Sequence, residues 1–211
     1  MKLKKRLLAK SRLYIIIDKN VCGLRPLLDI AGKIKGKGAD IIQLRDKGPQ
    51  KAVILQEAAA LRKLFLKAKT LLIINDYLDI AKAVDADGVH LGQTDLSVKT
   101  ARAILGKDKI IGISCHNLKQ AVAAQKAGAD YISIGPVFRT PTKPELRSIG
   151  LDKIKAIKNK IRAPFFAIGG INKENMSRVL SAGAKRIAVC GAVCKSKNIP
   201  AAIKDLREAL N

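Results

Sequence analysis

The chain of 211 residues has no tryptophan, and only 3% of its residues are aromatic. Because 48% of the residues are hydrophobic, the core must be built mainly from Ile, Leu, Val and Ala. No uninterrupted apolar run approaches the roughly 18 residues that span a membrane. Residues 1–12 are basic, and their apolar pieces are too short for the central region of a signal peptide. These absences predict a cytoplasmic protein with no membrane partner.

Acidic residues are scarce, since 17 Asp and Glu stand against 41 Lys and Arg, a formal net charge of +24. This excess raises the alternative of a nonspecific RNA-binding protein. The lysines are spread through every predicted helix, however, and stacking aromatic residues do not alternate with them. A diffuse positive field favours small polyphosphate partners over a specific nucleic acid.

The four cysteines form no CxxC pair, and no HxxxH motif accompanies them. Zinc ligation is therefore not indicated. Cys190 and Cys194 stand four residues apart at the end of an apolar run. The sequence predicts small, buried, free thiols.

Near-continuous apolar segments alternate with helical patterns along the whole chain. Strands are predicted at 13–18, 41–45, 70–76, 88–92, 110–114, 131–135, 164–168 and 186–190. Helices are predicted at 26–37, 49–67, 78–84, 97–105, 118–127, 152–160, 173–182 and 200–210. Eight such βα units predict one α/β domain over 1–211, a closed (β/α)8 TIM barrel of parallel strands preceded by a basic extension. The alternative, a doubly wound open sheet, would require a GxGxxG motif after the first strand, which is absent.

Three predicted helix ends share the formula Gly-Ala-Asp or Gly-Ala-Lys, beginning at Gly38, Gly128 and Gly183. Glycine there supplies a left-handed C-cap before the next strand. Pro49 is expected as a first helical residue, and Ser97 as an N-cap.

The second predicted strand ends in polar residues. Alternation places Ile41, Gln43 and Arg45 on one face, and Ile42 and Leu44 on the other. Because the guanidinium fork suits a carboxylate or phosphate, this strand end predicts an anion site within reach of Lys47. A solvated strand end is the alternative.

Other polar residues also follow the predicted strands, where a barrel carries its chemistry. Gly169, Gly170 and Gly191 suit a phosphate cradle, although tight turns also use glycine. Asp76 and Asp95 could hold Mg²⁺ together with substrate phosphates, or could cap helices. The loop around Lys143 offers an ammonium and two hydroxyls to an anion, or is simply solvated. His116 is a ligand contact or a satisfied structural histidine.

With these residues considered together, the chain closely resembles the thiamine-phosphate synthase family. The resemblance extends from Tyr14 to the last helix. The resemblance is carried by Gln43-Leu44-Arg45-Asp46-Lys47, Asn75-Asp76, His90-Leu91-Gly92-Gln93-Thr94-Asp95-Leu96, Gly112-Ile113-Ser114, Gly135-Pro136-Val137-Phe138, Thr140-Pro141-Thr142-Lys143 and Ala167-Ile168-Gly169-Gly170-Ile171.

The resemblance implies a Mg²⁺-dependent transferase that joins a hydroxymethylpyrimidine diphosphate to a thiazole phosphate, releasing pyrophosphate. The catalytic positions are then Arg45, Lys47, Ser114 and Lys143. Pyrimidine-diphosphate contacts match Gln43, Leu44, Arg45, Asp46, Lys47, Asn75, Ser114 and Lys143. Thiazole-phosphate contacts match Thr140, Pro141, Thr142, Gly170, Cys190 and Gly191, and the Mg²⁺ ligands match Asp76 and Asp95.

The chain departs from the family pattern at three places. Cys190-Gly191 falls where a hydrophobic residue and serine are common, so only the backbone N–H is left to serve there. Arg139 replaces a common proline, and Pro144-Glu145 differs from the usual basic or acidic pair. The resemblance therefore does not determine whether this loop closes over a substrate. The nearest alternative on the same barrel is a cofactor-free thiazole tautomerase. A homo-oligomer is left open.

Overall fold

The structure is a computed structural model that describes residues 3–210, so Met1 and Lys2 of the expected basic extension and the terminal Asn211 lie outside it. Its eight strands are β1 Leu13–Asp18, β2 Ile41–Arg45, β3 Leu71–Asn75, β4 Gly88–Leu91, β5 Ile110–Cys115, β6 Tyr131–Ile134, β7 Phe165–Ile168 and β8 Ile187–Val189. Each lies within one or two residues of its predicted bounds.

The helices are α1 Leu3–Lys10, α2 Lys19–Cys22, α3 Leu27–Ile34, α4 Lys51–Phe65, α5 Leu78–Ala83, α6 Val98–Leu105, α7 Leu118–Lys126, α8 Gly150–Lys158, α9 Met176–Ser181, α10 Gly191–Cys194 and α11 Ile199–Glu208. The sequence reading missed α1, α2 and α10. Within residues 3–210, no helix combines the length and apolar character that a membrane crossing requires.

The eight parallel strands close into a barrel in chain order, which confirms the predicted fold and excludes the open sheet. Closure is made by β1, which pairs with β2 through Tyr14↔Ile41 and with β8 through Leu13↔Ile187. Because every strand is parallel, all carboxyl ends emerge at the same rim. The polar residues that follow the strands are therefore brought together by topology alone.

Alternation along each strand separates two apolar layers. Ile15 and Ile17 of β1 pack outward against helices, whereas Tyr14 and Ile16 point into the barrel. The outer layer is mainly aliphatic, as the composition predicted, and Phe65 and Phe165 are its buried aromatic members. The interior differs from that prediction, because Tyr14, Tyr131 and Phe166 fill it with ring centroids 5.3–5.8 Å apart. Three of the seven Tyr and Phe residues thus lie in the barrel interior.

The face opposite the rim is closed by α1, whose Leu8 belongs to the interior cluster. Asp residues that precede alternate strands stabilise this face by accepting a backbone N–H from the neighbouring strand at 2.9 Å. The pairs are Asp40 with Leu13, Asp87 with Leu72 and Asp130 with Ile111. Lys4 and Lys5 of α1 reach Asp87 and Asp130 at 3.1 and 2.9 Å. The acidic residues of the Gly-Ala-Asp formula, Asp40 and Asp130, therefore form hydrogen bonds between neighbouring strands.

The glycines of that formula have positive φ angles of 101°, 87° and 103° at Gly38, Gly128 and Gly183, as predicted for C-caps. Ser97 caps α6 by accepting the Thr100 N–H at 3.1 Å, also as predicted. The expectation for Pro49 is wrong, because α4 begins at Lys51 and Gln50 holds the N-cap position.

A close contact between β4 and β5 gives a stability prediction. A Cβ on Gly88 would lie 2.1 Å from the Ile110 carbonyl oxygen, whereas a Cβ on Gly32, within α3, meets nothing within 4 Å. Gly88→Ala is expected to lower the free energy of unfolding by at least about 1–3 kcal/mol, the usual cost of overpacking. The matched control Gly32→Ala should raise it by up to about 1 kcal/mol through helix propensity. Denaturant melts of both variants test this, and equal effects would contradict it.

Candidate active site

The carboxyl ends of the strands surround one cavity of about 500 Å³. It is lined by side chains or backbone from most of the predicted site positions: Gln43, Arg45, Asn75, Ser114, Thr140, Pro141, Thr142, Lys143, Gly170, Cys190 and Gly191. Leu44, Asp46, Lys47, Asp76 and Asp95 lie outside this lining. Leu44 packs in the outer apolar layer, so only its backbone faces the strand end. The Asp46 carboxylate accepts the Gly48 N–H at 2.7 Å.

Three cations crowd one side of the rim. Arg45, at the end of β2, forms an ion pair with Asp18, a buried carboxylate at the end of β1. Lys47 forms an ion pair with Asp76 across to the end of β3. Burial lowers the pKa of Lys143, and the nearby charges of Arg45 and Lys47 lower it further. The long loop after β6 therefore places the Lys143 ammonium near Arg45 and Lys47.

Asp76 and Asp95 meet on the same side of the rim, after β3 and β4. Burial raises the pKa of the Asp76 carboxyl, and contact with Asp95 opposes the lowering effect of Lys47. Asp76 also holds a left-handed backbone, with φ of 60°, which is uncommon for a residue with a side chain. Neither carboxylate caps a helix: the N-cap of α5 is Tyr77, and Asp95 accepts the Gly92 N–H at 2.6 Å. The capping alternative is therefore excluded.

A chain of hydrogen bonds crosses the barrel below the cavity. The Gln43 amide donates to the Tyr14 hydroxyl at 2.5 Å, which contacts the Tyr131 hydroxyl at 2.9 Å. The Tyr131 hydroxyl meets His90 Nδ1 at 2.9 Å, and His90 Nε2 meets the Ser114 hydroxyl at 2.9 Å. This chain fixes the side chains of Gln43 and Ser114, the two predicted site residues at its ends.

Sequence reasoning missed Tyr14, Tyr131 and His90 as members of the site. Burial lowers the pKa of His90 to about 3, with a further contribution from the charge of Lys143, so the ring is neutral over the physiological range. His116 is different, because its ring Nδ1 lies 2.6 Å from the Gly135 carbonyl oxygen, while its backbone N–H donates to the Gln120 side-chain oxygen at 2.7 Å. It is a satisfied histidine at the edge of the cavity.

Glycines form the opposite side of the rim. A Cβ on Gly170 would lie 2.6 Å from the Arg139 carbonyl oxygen, and the φ of Gly170 is 64°, so no side chain fits there. Asn175 holds this turn by donating its side-chain amide to the Gly170 carbonyl at 2.8 Å. Gly191 opens α10 directly after β8 and Cys190. Exposed backbone N–H groups on this side can receive an anion.

The loop after β6 crosses the cavity mouth between these two sides. The Thr142 N–H donates to the Thr140 hydroxyl at 3.3 Å, and Arg178 of α9 lies over the Phe138 ring at 5.5 Å. At the base of the loop, the Ile149 N–H donates to the Pro136 carbonyl at 2.8 Å. Both ends of the loop are therefore anchored while its centre lines the cavity.

Comparison with known proteins gives consistent matches. A family model described as thiamine monophosphate synthase matches residues 13–193. A thiamine-phosphate synthase of Clostridium novyi (strain NT) is 45% identical over 197 residues, which cover 92% of this chain and 96% of the relative. One of Chloroflexus aurantiacus is 43% identical, over 93% of this chain and 91% of the relative.

Solved structures show the same likeness. A thiamine phosphate pyrophosphorylase from Pyrococcus furiosus has a TM-score of 0.87 and 35% identity, covering 99% of this chain and 98% of that one. A 3-hexulose-6-phosphate synthase, with a TM-score of 0.71 and 24% identity over 95% of this chain and all of that one, shares the fold.

The buried histidine gives a pH prediction. Unfolded His90 takes up a proton near pH 6.5, whereas the folded ring, with its pKa at about 3, does not. Its contribution to stability is complete above pH 6.5 and is lost as the pH falls through this window. From about pH 7 to about pH 5, we expect a loss of about 2 kcal/mol in unfolding free energy that His90→Asn does not show. Denaturant melts at both pH values test this, and equal losses in the two proteins would refute it.

Proposed function

Because the chain belongs to the thiamine-phosphate synthase family and is therefore a transferase, we propose the following substrates, metal and residue roles. The substrates are 4-amino-2-methyl-5-hydroxymethylpyrimidine diphosphate and 4-methyl-5-(2-hydroxyethyl)thiazole phosphate, or its carboxylated form. The products are thiamine phosphate and pyrophosphate. The observation that supports this proposal most strongly is the meeting of Arg45, Lys143, Asp76 and Asp95 at one rim.

The charge balance of the rim favours a metal ion. Arg45, Lys47 and Lys143 supply three positive charges, and Asp18, Asp76 and Asp95 supply three negative charges. These six side chains alone therefore contribute little net attraction for a diphosphate of roughly three negative charges. A divalent ion would add two positive charges and so attract the leaving pyrophosphate.

Asp76 and Asp95 fit Mg²⁺ by the chemistry of their donors. Hard carboxylate oxygens, one or two from the protein and the rest from phosphates and water, are its usual ligands. Burial raises the pKa of the Asp76 carboxyl, and the neighbouring Asp95 raises it further, a repulsion that a divalent ion between the two carboxylates would relieve. Within residues 3–210 there is no group of three or more His, Cys, Asp or Glu side chains able to hold a metal, so substrate oxygens would complete the coordination. Bound there, Mg²⁺ would neutralise charge on the diphosphate.

The deep end of the cavity suits the pyrimidine ring. Gln43 donates its amide N–H to Tyr14, so its carbonyl oxygen is the acceptor available to the ring amino group. Asn75 and Ser114 line the same region, and Ser114 is held by His90. This placement directs the diphosphate toward Arg45, Lys47 and Lys143.

The glycine side suits the thiazole phosphate. Thr140 and Thr142 offer hydroxyls, Pro141 lies between them, and the lining residues Gly170, Cys190 and Gly191 would offer backbone N–H groups to the phosphate. Two anion sites on opposite sides of one cavity thus place a leaving group and an incoming nucleophile around the pyrimidine.

The chemistry needs stabilisation of charge more than proton transfer. Pyrophosphate leaves the pyrimidine methylene carbon while the ring amino group donates electrons, and the thiazole nitrogen then attacks that carbon. Arg45, Lys47 and Lys143 stabilise the growing negative charge of the leaving group. We assign no general base, and the neutral, fully hydrogen-bonded His90 is consistent with that assignment.

The alternatives explain less of the site. A thiazole tautomerase, which expels no diphosphate, gives no role to the acidic pair or to the cluster of cations. A nonspecific RNA-binding protein gives no role to the enclosed cavity. The cytoplasmic location, the single-domain boundary and a homo-oligomer stay predictions.

The direct test is to incubate purified protein with both phosphorylated heterocycles and Mg²⁺ and to measure thiamine phosphate and pyrophosphate by chromatography. Equal amounts of the two products support the proposal. Isomerisation of a thiazole without release of pyrophosphate would support the tautomerase instead.

In the same assay, Asp95→Ala is expected to lower Mg²⁺-dependent turnover by on the order of 10²-fold or more, because the remaining carboxylate cannot hold the ion alone. The matched control is Asp79→Ala on α5, a largely exposed carboxylate that pairs with Lys51 at 3.2 Å. It should leave turnover and the Mg²⁺ dependence unchanged. Unchanged turnover in Asp95→Ala would remove the metal assignment.

The lowered pKa of Lys143 predicts an alkaline loss of activity. Because the ammonium deprotonates at a lower pH than an ordinary lysine, kcat should fall as the pH rises and the positive charge is lost. Lys143→Arg, which keeps its charge to higher pH, should move this fall to more alkaline values. Lys153→Arg on the exposed face of α8 is the control. An identical alkaline limb in all three proteins would show that another group titrates.

A further inference from the structure

Three of the four cysteines meet beside the glycine side of the cavity. Cys190 follows β8 and lines the cavity, Cys194 ends α10, and Cys22 ends α2. The Cys194 thiol donates to the Ile16 carbonyl at 3.3 Å, and the thiols of Cys190 and Cys22 lie near enough to influence its pKa. None of them forms a disulfide. The proposed transferase chemistry gives no role to these thiols.

Exposure distinguishes the members of this thiol cluster. Cys22 and Cys194 are buried, whereas Cys190 is half-buried and borders the cavity. Cys115 also borders the cavity, but it is 1% exposed, and burial raises the pKa of its thiol to about 12. Because an oxidant reacts with thiols that it can reach, Cys190 is the first site of attack.

The geometry also supplies a partner for oxidised Cys190. The Cys194 N–H donates to the Cys190 carbonyl at 2.8 Å, so the two residues are separated by one helical turn. In such a turn the two Cα atoms lie roughly 6 Å apart, within the range that a disulfide bridges. Residues four apart lie on the same face of a helix, and the Cys190 thiol raises the pKa of the Cys194 thiol, as expected for neighbouring sulfur atoms.

We propose that Cys190 is a peroxide-oxidation site at the rim of the cavity and that Cys194 resolves it as a disulfide. In the first step the Cys190 sulfur displaces water from hydrogen peroxide and becomes a sulfenic acid. In the second step the Cys194 sulfur attacks the Cys190 sulfur, the S–S bond forms, and the sulfenic oxygen leaves as a second water. The two thiols together lose two electrons, and these electrons reduce one hydrogen peroxide to two waters.

The first consequence is a slow second step at neutral pH. Contact with Cys190 and burial raise the pKa of the Cys194 thiol to about 12, so little thiolate is present. Resolution still proceeds because the attack is intramolecular, and its rate should rise with pH. Sulfenic acid should therefore be trapped more readily at neutral than at alkaline pH.

The second consequence concerns substrate binding and rests on the proposed function. Drawing the Cys190 side chain toward Cys194 changes the turn that presents the Gly191 N–H to the cavity. We expect the KM for thiazole phosphate to rise by roughly tenfold or more, the loss of one hydrogen bond to a charged group. The KM for pyrimidine diphosphate, which lies on the opposite side, should change little.

The test is mass spectrometry of the protein treated with hydrogen peroxide and then with an alkylating reagent. Both thiols lie in the tryptic peptide 187–195, bounded by Arg186 and Lys195. We expect this peptide to lose two hydrogen atoms, to resist alkylation, and to recover both thiols with dithiothreitol. Cys194→Ser, which keeps a donor for the Ile16 carbonyl, should instead give a dimedone adduct at Cys190.

Cys115→Ser is the matched control and should form the disulfide as the unmodified chain does. A peptide 187–195 with both thiols alkylated after peroxide treatment, or prior oxidation of Cys115, would overturn the proposal. So would a bond from Cys194 to the peptide that carries Cys22. Because the mass measurement needs no turnover, failure of the thiol chemistry and failure of the proposed transferase activity are separate results.

Discussion

Parallel closure of the barrel forces opposite charges together at one rim. Arg45 cannot leave the end of β2, and Asp18 cannot leave the end of β1, because the register Asp18↔Arg45 places them side by side. The same constraint brings Lys47 onto Asp76 from the next strand. The ion pairs satisfy charges that would be costly if buried alone. They also leave these side chains with little net charge, so the proposed metal ion would supply the positive charge that a bound diphosphate requires.

The sequence predicted the fold because its information is local and repeated. Apolar strands, helical periods and glycine caps recur along the chain, and parallel pairing then determines which ends meet. Arg45, Asp76, Asp95 and Lys143 were found for the same reason, since each follows a strand. The structure brings them together, although their roles in catalysis stay predictions. The short helices α2 and α10 were missed because four residues are too few to display a period.

The interior was harder to predict. Tyr14, His90 and Tyr131 come from β1, β4 and β6, which are not neighbours in the sheet, so only the stagger of the closed barrel makes them touch. In the sequence, each of these three residues is a polar side chain within a mainly apolar strand. Asp18 was likewise read as a strand end, although it is the buried partner of Arg45. Asp40 and Asp130 lie in Gly-Ala-Asp linkers that were interpreted only through their glycines, and Asp87 lies in a linker to which no role was assigned.

The aromatic floor of the barrel has a kinetic consequence. Tyr14, Tyr131 and Phe166 are at most 1% exposed, and Leu8 belongs to the same apolar cluster, so packed side chains close the bottom of the cavity. No substrate can therefore reach the cavity through the barrel interior. In the proposed reaction, both substrates and both products would have to pass the rim formed by the carboxyl ends of the strands.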